Sequence, residues 1–184
     1  RAYKNRKSGE IITLCEGGSY RNDGLANNTH GIADPDPWTP VLEVAEGKAT
    51  GCPVSREGAA IRAPISLSLA EWRQVLAPGD DSVEVHIAGG SPLNPEACAE
   101  SYGHALEFFP EHYPQCKFAA FTCGSWLLDP ALPKILAPHS NIVQFQNPYH
   151  LLPLPGDEKQ AYDLVFGSPT ADPFTAPPTT QLRR

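Results

Sequence analysis

Two runs of strand length flank a capped helix between residues 82 and 123, and that order restricts the fold more than any other feature of the chain. Ser82-Val83-Glu84-Val85-His86-Ile87 alternates strictly, with Val83, Val85 and Ile87 on one face and Glu84 and His86 on the other. The run closes in Ala88-Gly89-Gly90. Asn94-Pro95-Glu96 is then a strong helix start: Asn caps, Pro in the first position has no amide to leave unpaired, and Glu suits the positive end of the dipole. The spacing predicts a helix to about Phe109. Cys98, Tyr102, Ala105, Leu106 and Phe109 fall on its buried face, Glu96, Glu100 and Glu107 outside, and Pro110 is the expected stop. Phe118 to Cys123 is a continuous apolar run, the mark of a strand covered on both faces. Strand, helix and strand in that order imply a parallel pair joined by the helix.

The flanking segments have a different texture. Residues 1–66 read as short strands and turns. Ile11 to Cys15 is β-rich, Asn22-Asp23-Gly24 is a turn, Asp34-Pro35-Asp36-Pro37 is a rigid loop, and Val41 to Pro53 forms a hairpin around Gly47. Ser68-Leu69-Ala70-Glu71 has capping-box spacing, which predicts a helix carrying Trp72, Val75 and Leu76 on one face and stopped by Pro78-Gly79. Asp129-Pro130 opens a short helix through Leu136, and Asn141 to Gln146 and Tyr162 to Phe166 are expected strands. The organisation is therefore a β-rich part over 1–66, an α/β core over 67–167 and a Pro/Thr-rich tail over 168–184.

Composition narrows the classes of function. With 184 residues and 41% hydrophobic content, the chain has enough apolar material for a core. Its 14 Lys+Arg against 21 Asp+Glu give a net charge of −7 without a basic stripe, which argues against nucleic acid as a partner. No apolar stretch reaches the roughly 18 to 20 residues that span a bilayer, so no membrane partner is expected. Cys15, Cys52, Cys98, Cys116 and Cys123 are odd in number and lack Cys-x-x-Cys spacing. They read as free thiols of a reducing, cytoplasmic compartment, with no metal site. The chain holds no Met and begins Arg1-Ala2-Tyr3-Lys4, which reads as a processed product or a piece of something longer.

Three places could carry chemistry. The Gly89-Gly90-Ser91 loop before Pro95 joins a strand to a helix N-terminus, a setting of free amides that suits a phosphate, and equally an ordinary turn that needs Gly. Glu84 and His86 share one strand face, where they can act as a general base and its partner or simply meet solvent. Cys123-Gly124-Ser125-Trp126 lies at a strand end; Cys123 is a nucleophile only with a base such as His104, His112 or His139, and a structural thiol otherwise. His30 with Asp34 and Asp36 has metal-ligand residue types, but the Asp-Pro repeat is more simply a turn.

A family resemblance is carried by Asp34-Pro35-Asp36-Pro37-Trp38, Gly51-Cys52-Pro53-Val54-Ser55, Leu69-Ala70-Glu71-Trp72-Arg73, Glu84 through Leu93, Pro95-Glu96-Ala97-Cys98, Gly124 through Pro130 and Ser140 through Gln146. These segments resemble the bacterial acyltransferase-domain proteins whose C-terminal part is a GNAT-like domain. The resemblance implies an α/β fold, a GNAT-like mixed sheet flanked by helices, splayed between its fourth and fifth strands. It implies acetyl-CoA or another acyl-CoA as co-substrate, an amine of a small molecule as acceptor, and a helical N-terminal domain preceding this part. Read this way, Gly89, Gly90, Ser91 and Ser125 contact the acyl-CoA, and Glu84 or His86 is the catalytic base. Where ordinary GNAT enzymes carry an Arg/Gln-x-x-Gly-x-Gly/Ala loop, this chain has His86-Ile87-Ala88-Gly89-Gly90-Ser91-Pro92. The alternatives are a non-catalytic GNAT-like module that binds a small molecule or a partner domain, and a hydrolase using Cys123 with a His.

Overall fold

Period-two apolar patterning builds the first half of the chain. In the computed structural model, which describes residues 1–90, 93–155, 163, 165 and 166, six short strands precede the parallel unit: β1 (Ala2–Asn5), β2 (Ile11–Thr13), β3 (Leu42–Ala45), β4 (Lys48–Gly51), β5 (Ile65–Ser68) and β6 (Trp72–Leu76). β1 is the centre of one antiparallel sheet, with Tyr3 opposite Ile12 of β2 and Gln74 of β6. β4 is the centre of a second, with Ala49 opposite Val44 of β3 and Leu67 of β5. The expected hairpin closes at Glu46-Gly47, both with positive φ, the two-residue geometry whose twist matches the strands and for which Gly is suited. Tyr3, Leu14, Ala49, Leu67 and Trp72 form one buried cluster, so the two sheets share an apolar layer. A neighbouring cluster holds Cys15, Tyr20, Trp38, Cys52 and Ala60, in which the Trp38 indole N–H donates to the Arg21 carbonyl at 2.9 Å.

The helix expected from Ser68 is absent, and β5 and β6 occupy its place. Ser68 pairs with Lys48, Trp72 pairs with Asn5, and the Glu71 amide closes a turn on the Ser68 carbonyl at 3.0 Å. Burying Leu67 and Trp72 in the shared cluster outweighs a capping signal whose effect is about 1 kcal/mol.

The strand–helix–strand unit is present. β7 (Ser82–Glu84) runs parallel to β8 (Ala120–Thr122), with Val83 beside Phe121, and the 18-residue α1 (Pro95–His112) connects them. Both strands are shorter than the runs that announced them. α1 continues through Pro110 at the loss of the bond its amide would have made to the Leu106 carbonyl, and the Tyr113 amide closes it on the Phe109 carbonyl at 2.8 Å. Leu106 is not on a buried face; it is 56% exposed and lines an open groove of about 520 Å³ with Pro110, Phe118 and Phe121. A pair of three-residue strands is too narrow to cover a five-turn helix.

The mixture of antiparallel and parallel pairing holds, spread among the described residues over three separate sheets. Asn141–Gln146, expected as a strand, is a helix, preceded by a shorter one: α2 (Leu132–Ile135) and α3 (Asn141–Gln146). The Ser140 hydroxyl caps α3 by accepting from the Val143 amide at 3.4 Å, and Val143 packs with Leu132 and Leu136. The strand expected over Tyr162 to Phe166 is likewise not formed at its described positions: Asp163, Val165 and Phe166 are helical, while Tyr162 and Leu164, like the tail over 168–184, lie outside the described residues.

Candidate functional site

The parallel ladder ends where the polar face of its first strand begins. The Val85 amide donates to the Thr122 carbonyl at 2.7 Å, and beyond it, among the described residues, no backbone hydrogen bond joins 86–90 to 123–125. Ser82 and Thr122 add a hydroxyl contact at 3.2 Å. The two chains thus leave the ladder with their carboxyl ends unpaired, the position at which α/β sheets gather ligands.

Glu84 and His86 stand there on one face, as alternation requires. His86 Nε2 lies 3.3 Å from Glu84 Oε2, and the side chains are 82% and 62% exposed. Solvent screens such a pair strongly, so its effect on stability is small, and both groups are open to an incoming molecule.

The loop that follows is open. Gly89 and Gly90 are exposed, a Cβ at either would meet nothing within 4 Å, and Gly90 holds φ +79°. Ser91 lies outside the described residues. The N-terminus of α1 is partly satisfied by its own side chain, because Asn94 Oδ1 accepts from the Ala97 amide at 2.8 Å, and Pro95 has no amide to offer. Ser125 caps the 3-10 turn Trp126–Leu128, its hydroxyl accepting from the Leu127 amide at 3.2 Å. It is therefore engaged locally at the end of β8.

Sequence reading missed the polar cluster behind Glu84. Tyr102 on α1 and Tyr149 beyond α3 share a hydroxyl–hydroxyl hydrogen bond of 2.8 Å. Phe121 packs on Tyr102 with ring centroids 5.1 Å apart, and Phe145 on Tyr149 at 5.2 Å. Cys123 and Cys98 border the same two hydroxyls. Burial pushes Tyr149 and Tyr102 up, and the shared bond raises Tyr149 further while opposing the shift of Tyr102. Burial also raises the Cys123 thiol, and the Glu84 charge adds to it, while the nearby Tyr149 hydroxyl works the other way. A nucleophilic cysteine needs the opposite environment, one that lowers its pKa. A Cys–His hydrolase needs a histidine to deprotonate its cysteine, whereas the groups acting on Cys123 are Glu84 and Tyr149. Spacing had already put Tyr102 on the inner face of α1; nothing in the sequence ties it to a tyrosine 47 residues away.

The Asp34 carboxylate, one of the metal candidates, accepts from the Asn22 and Asp36 amides at 3.0 Å each, which is turn chemistry. Among the described residues no group of three or more His, Cys, Asp or Glu could hold a metal ion.

A sequence profile described as the GNAT-like C-terminal domain matches residues 27–184. The chain belongs to that family. The match takes in most of the β-rich first half together with the parallel unit, so the GNAT-like domain is larger than the β7–α1–β8 element alone. A solved structure of an acyltransferase in complex with decanoyl-CoA is similar at 25% identity with a TM-score of 0.49, over 78% of this chain and 39% of that one. No curated protein matches the chain. Among the described residues no helix is long and apolar enough to cross a membrane.

Proposed function

We propose that this GNAT-like domain is the catalytic portion of an acyl-CoA-dependent N-acyltransferase acting on an amine of a small molecule, with residues 67–167 carrying the chemistry. The observation that carries the reading is the Glu84–His86 pair at the end of the β7–β8 ladder, in a chain of this family. The opening of the ladder beyond Val85 and Thr122 supports it, since unpaired strand ends offer backbone groups to an extended ligand arm.

The residues fit acyl-CoA in one respect and fall short in another. Gly89 and Gly90 leave room for a ligand to approach the backbone closely. No Lys or Arg lies between Val85 and Cys98 to meet the pyrophosphate charge, so neutralisation has to come from outside that stretch.

Bound acyl-CoA supplies an activated thioester. Glu84 accepts the proton of the acceptor ammonium, and His86, 3.3 Å away and open to solvent, relays it outward. The Tyr102–Tyr149 pair packs on the Phe121 face of the ladder, opposite to Glu84, and Cys123 stays a neutral thiol.

A second reading, a GNAT-like module that binds a small molecule or partner domain without catalysis, is favoured by α1 itself. Asn94 already occupies the Ala97 amide, Pro95 lacks one, and Glu96 adds negative charge where the pyrophosphate would sit.

Titration calorimetry with acetyl-CoA separates the two. Binding with Kd at or below the millimolar range, weakened at least tenfold by Gly90→Val, is expected for the enzyme; no heat from a folded sample rejects it. Glu84→Gln and His86→Gln are each expected to lower kcat/KM by about 10²- to 10⁴-fold if that residue is the base, and wild-type turnover in both rejects the base assignment.

A further inference from the structure

Cys15 and Cys52 face each other across an antiparallel bridge. Leu14 pairs with Pro53, and the bridge is flanked by the Cys15 amide donating to the Cys52 carbonyl at 2.8 Å and the Val54 amide donating to the Thr13 carbonyl at 2.9 Å. That register puts Cys15 directly opposite Cys52. Opposed residues of an antiparallel pair project to the same face, and both side chains enter the cluster of Tyr20, Trp38 and Ala60, 5% and 4% exposed. Opposed residues of an antiparallel pair have Cα atoms about 4.5–5.5 Å apart, inside the range of a disulfide. Their Cβ atoms, about 5 Å apart in such a pair, have to lean together by roughly 1 Å to close it. Both residues are free thiols, and Cys52 Sγ donates to the Arg62 carbonyl at 3.4 Å.

We propose that Cys15 and Cys52 are a redox-modification site, a cross-strand dithiol that a peroxide converts to an intramolecular disulfide and a dithiol reductant restores. One thiol gives up its proton and its sulfur attacks a peroxide oxygen, breaking the O–O bond to leave a sulfenic acid and water. The second sulfur then displaces that hydroxyl as a second water, so two thiols and one hydrogen peroxide yield one disulfide and two waters. Burial raises the Cys15 thiol, so the pair reacts more slowly than the exposed Cys116. The bond ties the segment after β2 to the segment after β4 and closes a loop of about 37 residues. Cys52 gives up its contact with the Arg62 carbonyl in doing so.

The folded chain is treated with hydrogen peroxide, denatured in N-ethylmaleimide and digested without reductant for mass spectrometry. A dithiothreitol-sensitive pair of peptides containing Cys15 and Cys52 is expected, appearing after Cys116 is modified. The oxidised chain is expected to melt roughly 5–15 °C above the reduced one. Cys15→Ala abolishes both the cross-link and the shift, and Cys52→Ala serves as a second variant should the first fail to fold. Recovery of both cysteines as maleimide adducts or as sulfinic acids once Cys116 is fully oxidised overturns the proposal, as does a cross-link of either to Cys98, Cys116 or Cys123.

Discussion

The hydroxyl of Tyr102 lies 2.8 Å from that of Tyr149, joining the middle of α1 to the segment beyond α3 at the carboxyl end of β8. Since α1 has no fully buried residue, this bond is one of the few directional ties holding it. Tyr102→Phe and Tyr149→Phe are each expected to destabilise by about 1–2 kcal/mol, because each leaves one half-buried hydroxyl without its partner. The double variant is expected to cost less than the sum of the two, since the second change removes the orphan left by the first. Urea denaturation of the four proteins checks this, and strict additivity refutes a functioning bond.

How much of this was legible in the sequence differs between the two halves. The β7–α1–β8 order was readable because Val83, Val85 and Ile87 alternate cleanly and Asn94-Pro95 marks a helix start by a local mechanism, later seen as the Asn94 bond to the Ala97 amide. Ser68–Glu71 misled because a capping box is also a local signal, while the pairing of Ser68 with Lys48 and of Trp72 with Asn5 is not. Asn141–Gln146 misled in the reverse direction: Ile142, Val143 and Phe145 have strand-like composition, and the Ser140 cap together with burial of Val143 against Leu132 and Leu136 favours helix. At the site, Glu84 and His86 were visible as neighbours on one strand face. The Tyr102–Tyr149 contact depends on tertiary closure of α3 beneath α1, for which no sequence period exists.

Gln146 stitches α3 to the turn after β8. Its buried side-chain amide donates to the Leu127 carbonyl at 2.7 Å and to the Asp129 carbonyl at 3.0 Å. Gln146→Leu keeps the apolar stem and strands both carbonyls, for an expected loss of about 2–3 kcal/mol. Gln146→Glu is expected to be worse above pH 5, because a carboxylate would face two acceptors without a donor. Thermal melts at pH 7 order the three proteins Gln, Leu, Glu.

Asn94 is expected to hold α1 by its cap alone. Asn94→Ala frees the Ala97 amide and should cost about 1 kcal/mol, whereas Asn94→Ser retains an acceptor and should cost a few tenths. The same Asn94→Ala change leaves an unpaired amide at the helix start, so the acyl-CoA reading predicts unchanged or tighter binding in the less stable protein. A parallel loss of both stability and affinity refutes that part of the reading.

Stability is expected to be bounded on both sides of neutral pH, with signs that follow from which state holds the proton. Burial raises Cys15 and Cys123 above their ordinary value of 9.0 and pushes Tyr20 up to about 12. The unfolded chain loses these protons first, so the associated stability is fully present below about pH 9 and is lost as the pH rises toward the folded values. On the acid side, the Arg1 guanidinium lowers Glu16, and the amides of Asp36 and Asn22 lower Asp34. Their contribution is present above the ordinary carboxylate range and is lost as the pH falls below about 4. Denaturant midpoints measured from pH 3 to 11 should show a plateau near pH 6–8.5 with a fall at each end. Replacing Cys15 and Cys123 together by Ala should flatten the onset of the alkaline fall between pH 9 and 10 while leaving the acid limb unchanged, and an unaltered alkaline onset would show that those thiols titrate alike in the folded and unfolded chain.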